Sequence, residues 1–124
     1  MKDVIISVDK KARTVTVSPE CIGIEGESKQ GKFIVEFADG FIDGTAVLDV
    51  QVCNCNTKGY IPLTKDGQTY TGDILGSLTC HIGKIKMQVK ITQPADDAGH
   101  IPVFKSVIFT VRVEESINAT EELQ

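Results

Sequence analysis

Alternation of polar and apolar residues is the dominant pattern of this chain, and it is clearest over residues 84–91, where it runs without a break. Successive side chains of a β-strand point to opposite faces, so one set would line a core while the other faced water. The inward set is Ile85, Met87, Val89 and Ile91, and the outward set is Lys84, Lys86, Gln88 and Lys90. This run predicts a half-buried strand.

Similar short runs recur along the chain. They cover residues 4–8, 14–17, 32–37, 46–53 and 103–113, and residues 59–63 and 70–72 suggest a hairpin turning at Asp66-Gly67. In the last long run the predicted inward residues are Val107, Phe109, Val111 and Val113. No segment shows sustained helical periodicity. Seven to nine short strands separated by turn signals favour an all-β fold, an antiparallel sandwich or barrel.

The length of 124 residues suits one domain with a single core. We predict that residues 1–114 form this domain. Residues 115–124 are polar and acidic, and are expected either to fray or to begin a helix.

The formal charge of −4 argues against a general nucleic-acid binder. A local basic stripe at Lys84, Lys86 and Lys90 stays open, although a solvated strand face is the simpler interpretation. The sequence shows neither an apolar run long enough to cross a bilayer nor the pattern of a signal peptide. We therefore expect no membrane association, synthesis in the cytoplasm, and four cysteines that are free thiols.

One cluster of soft ligands offers a possible zinc site, formed by Cys53, Cys55, Cys80 and His81. On a strand, the two cysteines of the C-x-C pair would point the same way, about 7 Å apart. A neighbouring strand that presents the Cys80-His81 pair could complete a zinc site. Because C-x-C is not the usual zinc spacing and cysteine is often simply buried, structural thiols are the simpler interpretation. We predict no metal and no cofactor.

Other candidate chemistry is equally sparse. His100 could pair with Cys55 or Cys80 as a nucleophile, but no local motif supports this. The aspartates mostly occupy turn sequences and lack the order of a calcium loop. Tyr60 and Tyr70 could form part of a sugar-stacking platform, although core packing is the simpler role for most aromatic residues here. The sequence therefore predicts that the protein is not an enzyme.

From Thr14 onward, the chain resembles the N-terminal domain of phage upper-baseplate proteins and related phage fibre-anchoring domains. The segments that carry the resemblance are, in order, TVTVSPECIGIEGES, KFIVEF, GTAVLDVQV, YIPLTKDGQTYTGDI, GKIKMQVKI and FKSVIFTVRVEESI. The resemblance implies an immunoglobulin-like antiparallel β-sandwich without catalytic residues, which docks into a virion by its sheet faces and loops. In that family the last strand leads into a stalk that carries a receptor-binding part. Few residues follow Val113 here, which puts the stalk and receptor-binding role in doubt.

The resulting expectation is a phage virion structural protein, made in the host cytoplasm, that serves as a baseplate, tail or head decoration or fibre-anchoring adaptor. Its expected partners are other virion proteins, with a homo-oligomer or symmetric assembly. The candidate contact residues lie in the loops 23–31, 38–44 and 94–99, and they are Glu25, Glu27, Asp39, Asp43, Asp96 and Asp97. A carbohydrate- or ligand-binding β-sandwich module is the alternative.

Overall fold

The structure is a computed structural model, and it describes residues 3–24, 31–53, 57–74, 78 and 82–115. These residues form β-strands joined by turns and short connections. The strands are β1 (Val4–Asp9), β2 (Thr14–Ser18), β3 (Cys21–Ile24), β4 (Lys32–Phe37), β5 (Thr45–Val52), β6 (Thr57–Pro62), β7 (Thr64–Asp66), β8 (Thr69–Asp73), β9 (Gly83–Thr92), β10 (Val103–Lys105) and β11 (Phe109–Glu114).

The strands form two sheets that enclose one core. Sheet 1 has the order β2-β1-β4-β8-β7, and sheet 2 has the order β3-β11-β9-β5-β6, with β10 paired to the free part of β9. The prediction of an all-β sandwich is confirmed. The described residues contain eleven strands rather than seven to nine. β3 lies in a glycine-containing stretch with the pattern of a loop, β7 is a further short strand, and the run 103–113 divides into β10 and β11.

Two strand pairings depart from the predicted antiparallel arrangement. β1 pairs with β4 in parallel, and β3 pairs with β11 in parallel. The chain between β1 and β4 contains β2 and β3, and the chain between β3 and β11 contains β4 to β10. Parallel neighbours need long crossover connections of this kind. Both sheets are therefore mixed.

The alternation over residues 84–91 is reproduced in the structure. Ile85, Met87, Val89 and Ile91 are at most 1% exposed and belong to the core, together with inward residues of sheet 1 such as Phe33. Lys84 and Lys86 are exposed, whereas Gln88 and Lys90 are half-buried. β9 thus has the predicted faces, and it lies inside sheet 2 between β5 and β11.

The run 103–113 is not one strand, and the prediction of an inward Val107 is wrong. In β10, Lys105 lies opposite Lys90, and in β11, Phe109 lies opposite Met87, so three residues of this segment face two residues of β9. This extra residue is a β-bulge, and it exchanges the inward and outward positions that follow. Phe109, Val111 and Val113 are buried as predicted, whereas Val107 is 45% exposed.

The predicted hairpin between residues 59–63 and 70–72 is also wrong in its pairing. The turn at Asp66-Gly67 is present, and Gly67 has the positive φ of 63° that suits such a turn. However, this turn joins β7 to β8 in sheet 1, whereas β6 pairs with β5 in sheet 2. The chain crosses between the sheets at Leu63, whose N–H donates to the carbonyl of Ala46.

Among the described residues, no helix has the length and apolar character needed to cross a membrane. The predicted domain boundary near residue 114 stays a prediction, since residues 116–124 lie outside the described part of the chain.

Candidate protein–protein interface

The outer face of sheet 2 is rich in positive charge. We call it the basic face. Strand register brings Lys58, Gln51 and Lys86 into one row across β6, β5 and β9, and brings Tyr60, Asp49 and Gln88 into the next row. Its outward positions on the described strands carry six basic side chains and two carboxylates. These are Lys58, Lys84, Lys86, Lys90, Lys105 and Arg112, with Asp49 and Glu114.

Among the described residues, Arg112 is the basic side chain of this face that is held by ion pairs. Its Nε lies 2.8 Å from Glu114 Oε1, and its Nη1 lies 3.4 Å from Glu20 Oε2. The hydrogen bond to Glu114 raises the pKa of the Arg112 guanidinium. This corner of the face is therefore partly neutralised, and the lysines on β6 and β9 carry most of its charge.

A groove of about 290 Å³ crosses the basic face. Its polar lining comes from Asp49, Gln51, Lys58, Lys86 and Gln88, and Ile108 contributes an apolar wall. Tyr60, opposite Asp49 on the outermost strand of sheet 2, is 68% exposed, and Ile108 is 62% exposed. An aromatic residue and an isoleucine beside a groove are side chains that frequently anchor protein–protein contacts.

Exposed apolar side chains concentrate in residues 101–108. Ile101, Val103, Val107 and Ile108 are all exposed there, and we call this segment the apolar ridge. The bulge described above produces part of it, because it turns Val107 away from the core. Val107 lines a second cavity of about 510 Å³ together with Val15 of the edge strand β2. Val103 lines this second cavity as well, whereas Ile108 lines the groove of the basic face, so the ridge separates the two depressions.

Ser106 fixes the bulge that positions this ridge. It is buried, its Oγ accepts the N–H of Val89 at 3.0 Å, and it donates to the carbonyl of Val107 at 2.8 Å. The Ser106 N–H donates to the Val89 carbonyl at 2.9 Å, and its own carbonyl accepts Gln88 Nε2 at 2.8 Å. These hydrogen bonds replace regular strand pairing at the bulge.

The acidic loop residues predicted as contacts do not converge on one site. Asp39 accepts the N–H groups of Lys10 and Lys11 at 3.3 and 3.2 Å, and Asp43 pairs with Lys65 at 3.1 Å. Asp96 accepts the N–H groups of Ala98 and His100, at 2.9 and 2.8 Å. Asp96 thus organises its own loop, whereas Asp39 and Asp43 tie the loop before β5 to the turn after β1 and to β7. Asp97 is exposed, whereas Glu25 and Glu27 lie outside the described residues.

The possible zinc ligands fall largely outside the described chain. Cys53 is exposed just after β5, whereas Cys55, Cys80 and His81 are not among the described residues. Within the described residues, no three histidine, cysteine or acidic side chains come together as a metal site. His100, the suggested partner of Cys55 or Cys80, is exposed, and its Nδ1 lies 3.5 Å from Asp96 Oδ2. The absence of a metal site stays a prediction.

The two tyrosines suggested for sugar stacking are not brought together. Tyr70 is 1% exposed, and its hydroxyl donates to the carbonyls of Ile42 at 2.7 Å and Gly44 at 3.3 Å. Its ring stacks on Phe41 at 5.1 Å between centroids. Burial raises the pKa of the Tyr70 hydroxyl, and the Asp43 carboxylate adds to this rise. Tyr70 is a core residue, and only Tyr60 is available at the surface.

Sequence reasoning missed most of the basic face and the apolar ridge. The predicted basic stripe lacks Lys58, because the sequence pattern pairs residues 59–63 with residues 70–72, whereas the structure pairs β6 with β5. One signal of the ridge was present in the sequence, since the adjacent apolar pair Val107-Ile108 breaks strict alternation. Such a break is typical of a β-bulge.

Comparison with protein-family profiles finds no match, and comparison with curated protein sequences finds none either. Among solved structures, the N-terminal domain of phage TP901-1 ORF48 is similar, with a TM-score of 0.62. The similarity covers 92% of this chain and 99% of that domain, at 8% sequence identity. The two chains share a fold.

Proposed function

We propose that this chain is a phage structural protein that joins virion components through protein–protein contacts and catalyses no reaction. The observation that carries the proposal is the exposure of four apolar side chains in the apolar ridge, of which Ile108 lines the groove of the basic face. Burial of exposed apolar side chains is the main driving force of association, and an exposed cluster of this kind marks a surface that is covered in use.

Two findings support a phage context. The fold matches the N-terminal domain of a phage protein over nearly the whole chain. The strand segments also resemble those of phage upper-baseplate and fibre-anchoring domains. On this basis we propose a place in the virion as a baseplate, tail or head decoration or fibre-anchoring adaptor. The protein would be made in the host cytoplasm and would need neither cofactor, nucleic acid nor membrane.

The proposal is tested in particles of a phage that encodes the chain. Mass spectrometry of purified, salt-washed particles is expected to find its peptides at a fixed ratio to the other virion proteins. Absence from these particles would refute the virion role.

The role of the ridge is tested by genetic substitution in the same phage. Val107→Gln with Ile108→Gln removes two exposed apolar side chains and is expected to lower incorporation at least about tenfold, because interface energy is concentrated in such anchors. Ala12→Gln, in an exposed turn, is the control and should be incorporated normally. Equal incorporation of both variants would show that the ridge makes no virion contact.

A ligand-binding module is a second candidate, favoured by the exposed Tyr60 beside the groove. Polar side chains and an aromatic ring at one groove suit a sugar. A glycan array would support this role if binding were found and lost in Tyr60→Ala. If the wild-type chain bound no glycan on the array, the sugar-binding role would be refuted and the assembly role would remain.

A further inference from the structure

The two outer faces of the sandwich carry opposite charge. The outer face of sheet 1, which we call the acidic face, has four carboxylates and one lysine at its outward positions on the described strands. These residues are Asp9, Glu36, Asp66 and Asp73, with Lys32. The basic face lies on the opposite side of the same core. The net charge of −4 therefore conceals two surfaces of opposite sign.

Each face also has an apolar centre. On the acidic face, Ile5 and Ile34 are register neighbours on β1 and β4, and both are half-buried at outward positions. Thr71 lies beside Ile34 on β8. On the basic face, Ile108 and Tyr60 stand beside the groove. An apolar centre within a charged surround is the usual composition of a protein–protein interface.

We infer that the basic face of one copy docks onto the acidic face of a second copy. This inference rests on the proposed assembly role and names the partner and the surfaces. The paired isoleucines of the acidic face would contact the groove and Ile108, while Lys58 and Lys86 would face carboxylates such as Glu36 and Asp73. Basic faces meeting each other would oppose like charges, so a head-to-tail contact is favoured over a symmetric one.

The size of the faces limits the strength of this contact. Five strands spaced about 4.8 Å apart and about six residues long cover a flat area on the order of 500 Å². The relief of the side chains makes the accessible surface larger, so a whole face is no more than comparable with the standard interface of about 800 Å² per partner. Repeated copies in one particle would strengthen such a contact by multivalency. Because each copy uses both faces, the contact generates rings or rows of copies rather than closed pairs.

Charge reversal on the full chain tests the inference, read by sedimentation velocity at low salt and a concentration on the order of 1 mM, where weak association is still measurable. The wild type is expected to associate. Lys58→Glu with Lys86→Glu leaves four basic and four acidic side chains on the basic face and so cancels its net charge. Glu36→Lys with Asp73→Lys leaves three lysines and two carboxylates on the acidic face and so reverses its sign. Each double variant alone should be monomeric, with a Kd raised at least about tenfold. Lys10→Glu with Lys11→Glu, in the exposed turn that follows β1 and outside the strands of both faces, is the control and should associate no more weakly than the wild type.

Mixing gives the decisive result. An equimolar mixture of the two double variants should associate in pairs, because the first variant keeps the native acidic face and the second keeps the native basic face. Circular dichroism checks the fold of each variant, and Lys58→Gln with Lys86→Gln and Glu36→Gln with Asp73→Asn replace any variant that unfolds.

The inference is overturned if the wild type stays monomeric, if neither reversal weakens association, or if the mixture fails to associate. A chain that is found in particles but is monomeric in solution would refute this inference and leave the virion role standing. A chain that associates as described but is absent from particles would refute the virion role and leave the contact between copies standing.

Discussion

Tyr70 is the side chain that fastens the loop before β5 to the core. Its hydroxyl donates to the backbone carbonyls of Ile42 and Gly44, and its ring lies 5.1 Å from Phe41 and 6.2 Å from Phe37. Lys65 Nζ lies 5.4 Å from the Phe41 centroid and pairs with Asp43 outside this cluster. The Tyr70 hydroxyl thus adds a buried hydrogen bond to a loop that is also held by Ile42 in the core and by Asp39 at the turn after β1.

Tyr70→Phe keeps the ring and removes the hydroxyl. We expect the free energy of unfolding to fall by about 1–2 kcal/mol, because the buried Ile42 carbonyl and the half-buried Gly44 carbonyl lose the donor that they share. Urea denaturation followed by circular dichroism measures this change. Tyr60→Phe, at an exposed tyrosine, is the control and should leave the stability unchanged.

The same hydroxyl makes stability depend on alkaline pH. Burial raises the pKa of Tyr70 in the folded state above its ordinary value of 10.0, so above pH 10 the unfolded chain loses this proton more readily than the folded one. The contribution of Tyr70 is therefore full below pH 10 and declines as pH rises towards the folded-state pKa. The stability difference between the wild type and Tyr70→Phe should shrink above pH 10. A difference that stayed constant to pH 11 would contradict this expectation.

Gly44 marks a place where two strands approach too closely for a side chain. A Cβ built on Gly44 would lie 2.5 Å from the Thr92 carbonyl oxygen and 2.9 Å from Ile91 Cγ2. Because backbone cannot yield as a flexible side chain can, Gly44→Ala is expected to cost about 1–3 kcal/mol in a thermal or urea melt. Gly59→Ala is the matched control, since nothing lies within 4 Å of the added methyl group. Equal losses in both variants would argue against close approach as the cause.

At the scale of elements, the bulge between β10 and β11 shows where the alternation pattern predicts buried residues correctly and where it does not. Strict alternation placed the buried residues of β9 correctly, because that strand has no interruption. In the run 103–113, one extra residue exchanged the two faces, so Val107 was assigned to the core although it lies at the surface. Strand pairing is a long-range property, and the parallel neighbours β1–β4 and β3–β11 have no local signature in the sequence.

Ser106→Ala tests the bulge directly. It leaves the buried N–H of Val89 without its hydroxyl acceptor, so we expect a loss of about 1–3 kcal/mol. Hydrogen exchange of the Val89 amide should become faster in the same variant, whereas a purely global loss would accelerate the whole core together. Ser18→Ala, at an exposed serine, is the control.

At the scale of the whole molecule, the opposite charge of the two faces follows from topology rather than from composition. Lys58 and Lys86 lie 28 positions apart in the sequence, and only the β6-β5-β9 order brings them into one row. The sequence could indicate the lysines of β9 as a stripe. It could not indicate that the carboxylates would gather on the other sheet.

Salt concentration gives a whole-molecule test of this charge arrangement. The inferred association should weaken severalfold as salt rises from about 0.05 M to 0.5 M, because the Debye length falls from roughly 14 Å to about 4 Å. Association through the apolar ridge alone would be unchanged or stronger at high salt. Sedimentation at both salt concentrations distinguishes the two.

The position of β11 within sheet 2 has a consequence for biosynthesis. β11 lies between β9 and β3, and among the described strands β3 has no other neighbour in its sheet. β3 therefore cannot complete this pairing until residues 109–114 have been translated. A nascent chain that ends before Phe109 leaves β3 and one edge of β9 unpaired, and such unpaired edges favour aggregation. Completion of the described sandwich thus follows translation of β11, and reporters are better fused after Glu114 than within the sandwich.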